Sequence, residues 1–364
     1  MSSDSVWLEI GERIRESRLA AGLSQEQLAK LIESERSKIA KIEAGARQIN
    51  AVELTRLATA LGMPLGHFLY SRPAVISRRT SLDHDIASSA AQEAYRIEAA
   101  LTGWLRDVRS VIELGGLRPR PPLRYAASVA DVDDAREAAR WTRTQLSLGQ
   151  DPIPTMMSAC SAAGQLLLVV ELPGDGASVV DADLAVAVVS RAGDPGRRRS
   201  TAAHELGHLI LGDEYSSDLG GGIAASRDAR EAVIDAFAAE FLLPSKAMQN
   251  GVVGDLRTYL VTHAATYRAS WAVVIRQAEV AGLIDGADAK RWRSAPKPTH
   301  AEMMQAVGWA PQPDFESVRV PPTYADAVLS AWRNDRITAG RAVELMYGQI
   351  ETEDLGPLDE DVEP

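Results

Sequence analysis

His204, Glu205 and His208 stand in the segment Thr201-Ala-Ala-His-Glu-Leu-Gly-His-Leu-Ile210, a His-Glu-x-x-His pattern. Residues four apart share one face of a helix, so both imidazoles can point at a single metal ion. Glu205 follows the first histidine directly, where a carboxylate can reach a water bound to that metal. Neutral imidazoles suit Zn2+, and one further ligand would leave a fourth position open for the water. The third ligand must come from elsewhere in the chain. Glu231 is the best placed, and Asp235, four residues on, shares its helix face. Asp235 can accept the free ring N–H of a ligating histidine and so fix its tautomer and orientation. Asp213, Glu214, Asp218 and Glu240 compete for the ligand role. Glu214 has the spacing of a longer zinc motif, but that motif needs glycine where this chain has Leu211. Glu240 points about half a turn away from Glu231.

The elements that must position these groups can be read from their flanks. Ala202, Ala203, Gly207, Leu209, Ile210 and Leu211 make the first segment a buried helix of small and apolar residues, and residues 230–244 predict a second helix. Upstream, Gln165–Pro173, Val179–Val180 and Leu184–Val189 read as strands, with a turn at Asp175–Gly176. A small, mainly antiparallel sheet beside the active helix follows, with an edge to which an extended peptide can add as a strand. Hydrolysis of a peptide would also need a donor for the tetrahedral oxyanion. Tyr215, His263 and Tyr267 are the candidates. Cys160 is the one cysteine, which rules out an intrachain disulfide, and it reads as a small buried apolar residue.

Residues 197–211 and Glu231–Pro244 resemble the two signatures of the ImmA/IrrE family of bacterial zinc metallopeptidases, and the resemblance extends over roughly residues 125–285. It implies a zincin-like fold, Zn2+ as cofactor, His204, His208 and Glu231 as ligands, and Glu205 as the general base. It also implies peptide hydrolysis directed at a partner transcription repressor, in stress-response or mobile-element control. Where the family usually has Ala-Asn, this chain has Ile234-Asp235, which makes its Glu-x-x-x-Asp look like that of gluzincins.

Residues 1–75 carry a different pattern. Ile10, Ile14 and Leu19 set a helical stripe closed by Gly22. Ser24 and Gln27 form a capping-box pair at the start of a second helix, Gln25 to Ile32. A third helix holds Ile39 and Ile42 and ends at Gly45, a fourth runs from Ala51 to Leu61, and a short one lies near Leu65–Leu69. The series Ser24-Gln-Glu-Gln-Leu-Ala-Lys30, Ser37-Lys-Ile-Ala-Lys-Ile-Glu-Ala-Gly45 and Leu54-x-x-Leu-Ala-x-Ala-Leu-Gly62 resembles the Cro/repressor-like (XRE) helix-turn-helix family. Glu33-Ser34-Glu35 stands where that family usually has Gly-Val-Ser. The resemblance implies DNA as a partner, with Arg36, Ser37 and Lys41 facing base edges and Gln25, Lys38 and Arg47 near phosphates.

Between these units, Ser77–Asp85 reads as a polar linker that includes His84, and Ala91–Leu114 as a long amphipathic helix. Its stripe needs a partner: the metal domain, or the same helix in a second copy, which makes a homodimer an option. Leu117-Arg-Pro-Arg-Pro-Pro122 stops that helix, and Ala130–Leu146 forms another. Prolines punctuate residues 296–322, where His300 reads as a loop residue. Ala301–Val307 is a short piece among them, and helices are expected at Tyr324–Trp332 and Ile337–Tyr347. The net charge of −11 excludes a chain that binds nucleic acid over its whole surface. Residues 1–80 nevertheless hold 12 Lys/Arg against 9 Asp/Glu, and residues 351–364 hold 7 acids and no base. No run approaches the length of a membrane span, and no signal-peptide pattern opens the chain, so a soluble, cytoplasmic protein is expected.

The expected organisation is α+β. An all-α helix-turn-helix bundle (1–75) is followed by a linker and long helix (76–122). Then come a mainly helical zinc metallopeptidase domain (123–295), a helical extension (296–350) and an acidic tail (351–364). The expected function is a zinc-dependent endopeptidase joined to a DNA-binding domain. The alternative is a non-proteolytic regulator whose metallopeptidase-like domain senses a ligand or partner.

Overall fold

Five helices open the chain: α1 (Ser3–Ala20), α2 (Gln25–Leu31), α3 (Arg36–Glu43), α4 (Ala51–Leu61) and α5 (Leu65–Leu69). The computed structural model describes residues 3–69, 77–78, 89–212, 224–249, 251, 254–308 and 311–356. Capping boxes start α2 (Ser24 with Gln27) and α4 (Asn50 with Glu53), satisfying amides that a helix start leaves open. Ile14, Leu28, Ile39, Leu57 and Phe68 fill the core of this bundle. A buried ion pair, Arg18 Nε to Glu43 Oε1 at 2.6 Å, locks α1 to α3.

The next helix, α6 (Ser89–Glu113), serves two cores. Its Tyr95 and Ala99 close the helix-turn-helix core. The Tyr95 hydroxyl lies 2.7 Å from His67 Nε2 and 3.0 Å from Ser17 Oγ. Ile97, Leu101, Trp104, Leu105, Val108 and Val111 pack instead on a β-sheet. The amphipathic stripe therefore finds its partners within its own chain, not in a second copy.

That sheet contains β1 (Ser77–Arg78), β2 (Gln165–Val170), β3 (Gly176–Asp181) and β4 (Leu184–Ser190), in the order β1-β3-β4-β2. β3 pairs antiparallel with β1 and with β4, while β2 runs parallel to β4, so the sheet is mixed. β4 is buried along its whole length, and such a strand requires partners on both edges, which places it at the centre. The expected linker is thus part strand at Ser77–Arg78; the rest of it, with His84, lies outside the described residues. The chain covers parts of its own sheet edges: β1 faces Ala177 and Ser178 of β3, and Arg319 bridges to Val169 of β2.

One face of the sheet carries α7 (Val132–Gln145), α8 (Met156–Ala162), α9 (Pro195–Leu211) and α10 (Ala224–Leu242). The sequence reading had no helix at α8. The other face carries α6 with α15 (Pro322–Arg333) and α16 (Ala339–Leu345). A separate cluster joins α11 (Leu256–Tyr267), α12 (Trp271–Val280), α13 (Gly286–Ser294) and α14 (His300–Val307). His300 is the exposed first residue of α14, not a loop residue, because Thr299 caps that helix in a box with Glu302.

Residues 311–356 contribute to these cores. Phe315 is buried beneath α9, and Asp314 pairs with the buried Arg199 of α9. Of the expected acidic tail, Thr352–Leu355 forms a 3-10 turn and Leu355 packs against the sheet-side core, while 357–364 lie outside the described residues. Among the described residues, no helix is long and apolar enough to cross a membrane.

Candidate metal centre and DNA-binding helices

α9 begins on Asp194, whose carboxylate accepts from the amides of Gly196 and Arg197, and proline at its first position suits a helix start. Nearly every side chain from Arg198 to Ile210 is buried. The glycine within the His-Glu-Leu-Gly-His run has a steric reason. A Cβ on Gly207 would lie 3.0 Å from Phe237 and 3.1 Å from Ile234, both on α10. The missing side chain lets α10 approach α9 closely, and that approach carries Glu231 and Asp235 to the histidines.

The resulting cluster is small. His208 Nε2 lies 3.2 Å from His204 Nε2, and His204 Nε2 lies 3.2 Å from Glu231 Oε2. One ligand atom from each of the three residues falls within 4.8 Å of the other two. On the far side of the His204 ring, Nδ1 is 3.0 Å from Asp235 Oδ1. Asp235 thus engages the nitrogen that turns away from the cluster and keeps Nε2 facing it. Two imidazoles and one carboxylate are a donor set that suits Zn2+. Ligands about 2.0–2.1 Å from a tetrahedral centre stand roughly 3.3–3.4 Å apart, close to the separations observed. The residues present fit such an ion.

Glu205 is fully buried. Its Oε2 accepts a hydrogen bond from Ser178 Oγ of β3 at 2.6 Å, and its main-chain oxygen accepts from Gln165 Nε2 of β2 at 3.0 Å. Sequence reasoning missed Ser178 and Gln165. The only trace they leave is a polar residue within an otherwise apolar strand.

Of the competing ligands, Glu240 has other partners. Glu240 accepts from Gln277 Nε2 at 2.7 Å and from the Ser245 amide and hydroxyl at 3.2 Å, so its carboxylate is committed elsewhere. Asp213, Glu214 and Asp218 lie outside the described residues, as does Tyr215. The other two oxyanion candidates are bound to main chain: His263 Nδ1 lies 2.9 Å from Tyr259 O, and Tyr267 donates to Gln150 O at 2.9 Å. Cys160 is buried in α8, and burial pushes its thiol up to about 12, which keeps it protonated and unreactive.

In the N-terminal bundle, Arg36, Ser37 and Lys41 of α3 are exposed. Ser37 donates to Glu35 at 3.2 Å. Lys38 and Arg47 both pair with Glu53, at 2.5 and 3.0 Å. The Lys38 hydrogen bond holds the Glu53 carboxyl below its ordinary range. Gln25 donates to Glu43 at 2.8 Å, so in this structure it braces the buried Arg18–Glu43 pair.

Residues 9–67 match the family model of a helix-turn-helix domain, and residues 176–278 match that of an IrrE N-terminal-like domain. The chain joins these two domains. The second match runs from β3 through α12 and so takes in Ser178, both histidines, Glu205, Glu231 and Asp235. No curated protein and no solved structure matches the chain. The helix-turn-helix domain supports DNA binding, and the pairing supports a transcription regulator with a metallopeptidase-like domain.

Proposed function

We propose that the protein is a zinc-dependent endopeptidase that regulates transcription by cutting a partner repressor, with the helix-turn-helix holding DNA through Arg36, Ser37 and Lys41. The observation that carries this reading is the convergence of His204, His208 and Glu231 around one point beside the buried Glu205. His204, His208 and Glu231 would hold the ion, and Asp235 orients the His204 ring. Bound zinc would supply Lewis acidity and an acidified water. Glu205 then moves a proton from water to the leaving amine as the C–N bond breaks and the carbonyl carbon gains the water oxygen. Ser178 holds the carboxylate for that transfer. The edge of β3 beyond Ser178 has no strand partner among the described residues, and an extended substrate can pair there.

The test compares wild type with Glu205→Gln for zinc content, new protein termini in the cell and target-gene output. We expect one zinc per chain in both proteins. Cleavage and regulation should fall by about 10²–10⁴-fold in the variant, the range for a lost general base. Regulation that survives the substitution sinks the proteolytic reading and leaves the ligand-sensing regulator.

A further inference from the structure

A second concave site lies away from the metal cluster, where the segment after α6 meets the end of α8, the start of β2 and the start of α15. It is a cavity of about 310 Å³ lined by Arg118, Arg120, Ser158, Ser161, Leu166 and Thr323, with backbone from the prolines and glycine between them. In a chain of net charge −11 its lining holds two arginines and no carboxylate. Among the described residues neither Arg118 nor Arg120 makes an ion pair or a side-chain hydrogen bond. The Ser161 Oγ is buried and lacks a hydrogen-bond partner. A buried hydroxyl without a partner costs free energy, which a bound acceptor would recover.

Three features hold these groups in place. Pro119, Pro121 and Pro122 fix the backbone around both arginines. Gly164 has φ +85°, and a Cβ there would stand 2.6 Å from Pro121 O and 2.9 Å from Arg120 O, so the arginine segment is pressed against the start of β2. The Leu123 amide bonds Ala163 O at 2.9 Å and fastens the same contact. Finally, α15 starts on Pro321–Pro322 with no side-chain cap, so the positive end of a 12-residue helix opens beside Thr323.

We propose that this cavity binds a small phosphomonoester, with Arg118 and Arg120 pairing its charge and Ser161 and Thr323 donating to its oxygens. A dianion matches two guanidinium groups in charge. Its three terminal oxygens use more donors than a carboxylate can accept. The volume is at the lower end of small-molecule pockets and suits a ligand of sugar-phosphate or mononucleotide size. The site requires nothing of the peptidase reading and stands if that reading fails.

The experiment is calorimetric titration of the full chain with adenosine 5′-monophosphate, inorganic phosphate and adenosine. Wild type should bind the nucleotide and phosphate with the same stoichiometry and should not bind adenosine. Arg118→Ala/Arg120→Ala should weaken both by at least about tenfold, since each lost charge-assisted pair is a strong contact. Both side chains are exposed, so the fold should be unaffected. Ser161→Ala should weaken binding while leaving the melting temperature of the ligand-free protein unchanged or raised, which a merely structural hydroxyl would not do. Absence of binding by both phosphate probes, or a double variant that binds as wild type does, overturns the proposal.

Discussion

The Asp235 carboxylate touches the His204 ring on the nitrogen opposite the cluster, so it acts on a metal through that ring. Asp235→Ala should keep all three proposed ligands yet lower zinc affinity by about 10–100-fold, the usual effect of removing an orienting carboxylate. Competition against a chromogenic chelator measures it, and an unchanged affinity would show that the ring is held by packing alone. The residues involved differ in how far they can be read from sequence. His204, Glu205 and His208 are legible because helix geometry makes a four-residue spacing a spatial statement. Glu231 and Asp235 are legible as a pair for the same reason, although only the fold shows that their helix reaches α9. Ser178 and Gln165 reach Glu205 across 27 and 40 residues of chain, and no local pattern encodes those contacts.

Helices and their junctions carry two further consequences. Gly207 is a point of close approach between α9 and α10, and the Phe237 and Ile234 side chains it faces are buried. Gly207→Ala must push the helices apart by a few tenths of an ångström or strain those side chains. Overpacking of this kind costs about 1–3 kcal/mol. We expect a lower urea midpoint together with weaker zinc binding, because the same shift draws Glu231 away from the histidines. A variant of wild-type stability would remove the steric account of this glycine. At the α2–α3 junction, Glu33 adopts φ +54°, a left-handed conformation that costs a non-glycine residue on the order of 1 kcal/mol. Its place in the motif is one that the helix-turn-helix family usually gives to glycine. Glu33→Gly should raise stability by up to about 1 kcal/mol and also remove a negative charge near the DNA-facing helix. Thermal melts and binding to duplex DNA at two salt concentrations test both parts. Loss of stability would mean that the Glu33 side chain contributes more than its backbone strain costs. Elements with their own caps and periods, such as α2, α4 and α9, could be placed from sequence. The direction of β2 and the central position of β4 could not, because an apolar run marks a buried strand without naming its neighbours.

At the scale of the molecule, the sequence suggested units strung along a linker, whereas the packing shares elements between them. α6 contributes to the helix-turn-helix core at one end and to the sheet at the other, so the DNA-binding bundle and the metal helices rest on a common support. Residues 311–356 are bound in as well. Arg199 is wholly buried on α9, and its charge is met by Asp314. Burial lowers the Arg199 guanidinium to about 10, with Asp314 opposing that shift, so the group stays charged near neutral pH. Asp314 also accepts from the Met156 amide at 3.2 Å, which ties α8 into the same point. Asp314→Ala would leave a buried cation with only the Ile153 carbonyl, at 3.0 Å, among its observed partners. Breaking a buried pair from one side costs about 3–5 kcal/mol, a large part of the stability of a typical domain. The expected result is a much lower urea midpoint with zinc lost in the same transition. A loss below about 1 kcal/mol, the range of exposed pairs, would instead mark residues 311–356 as an appendage that the metal domain can do without.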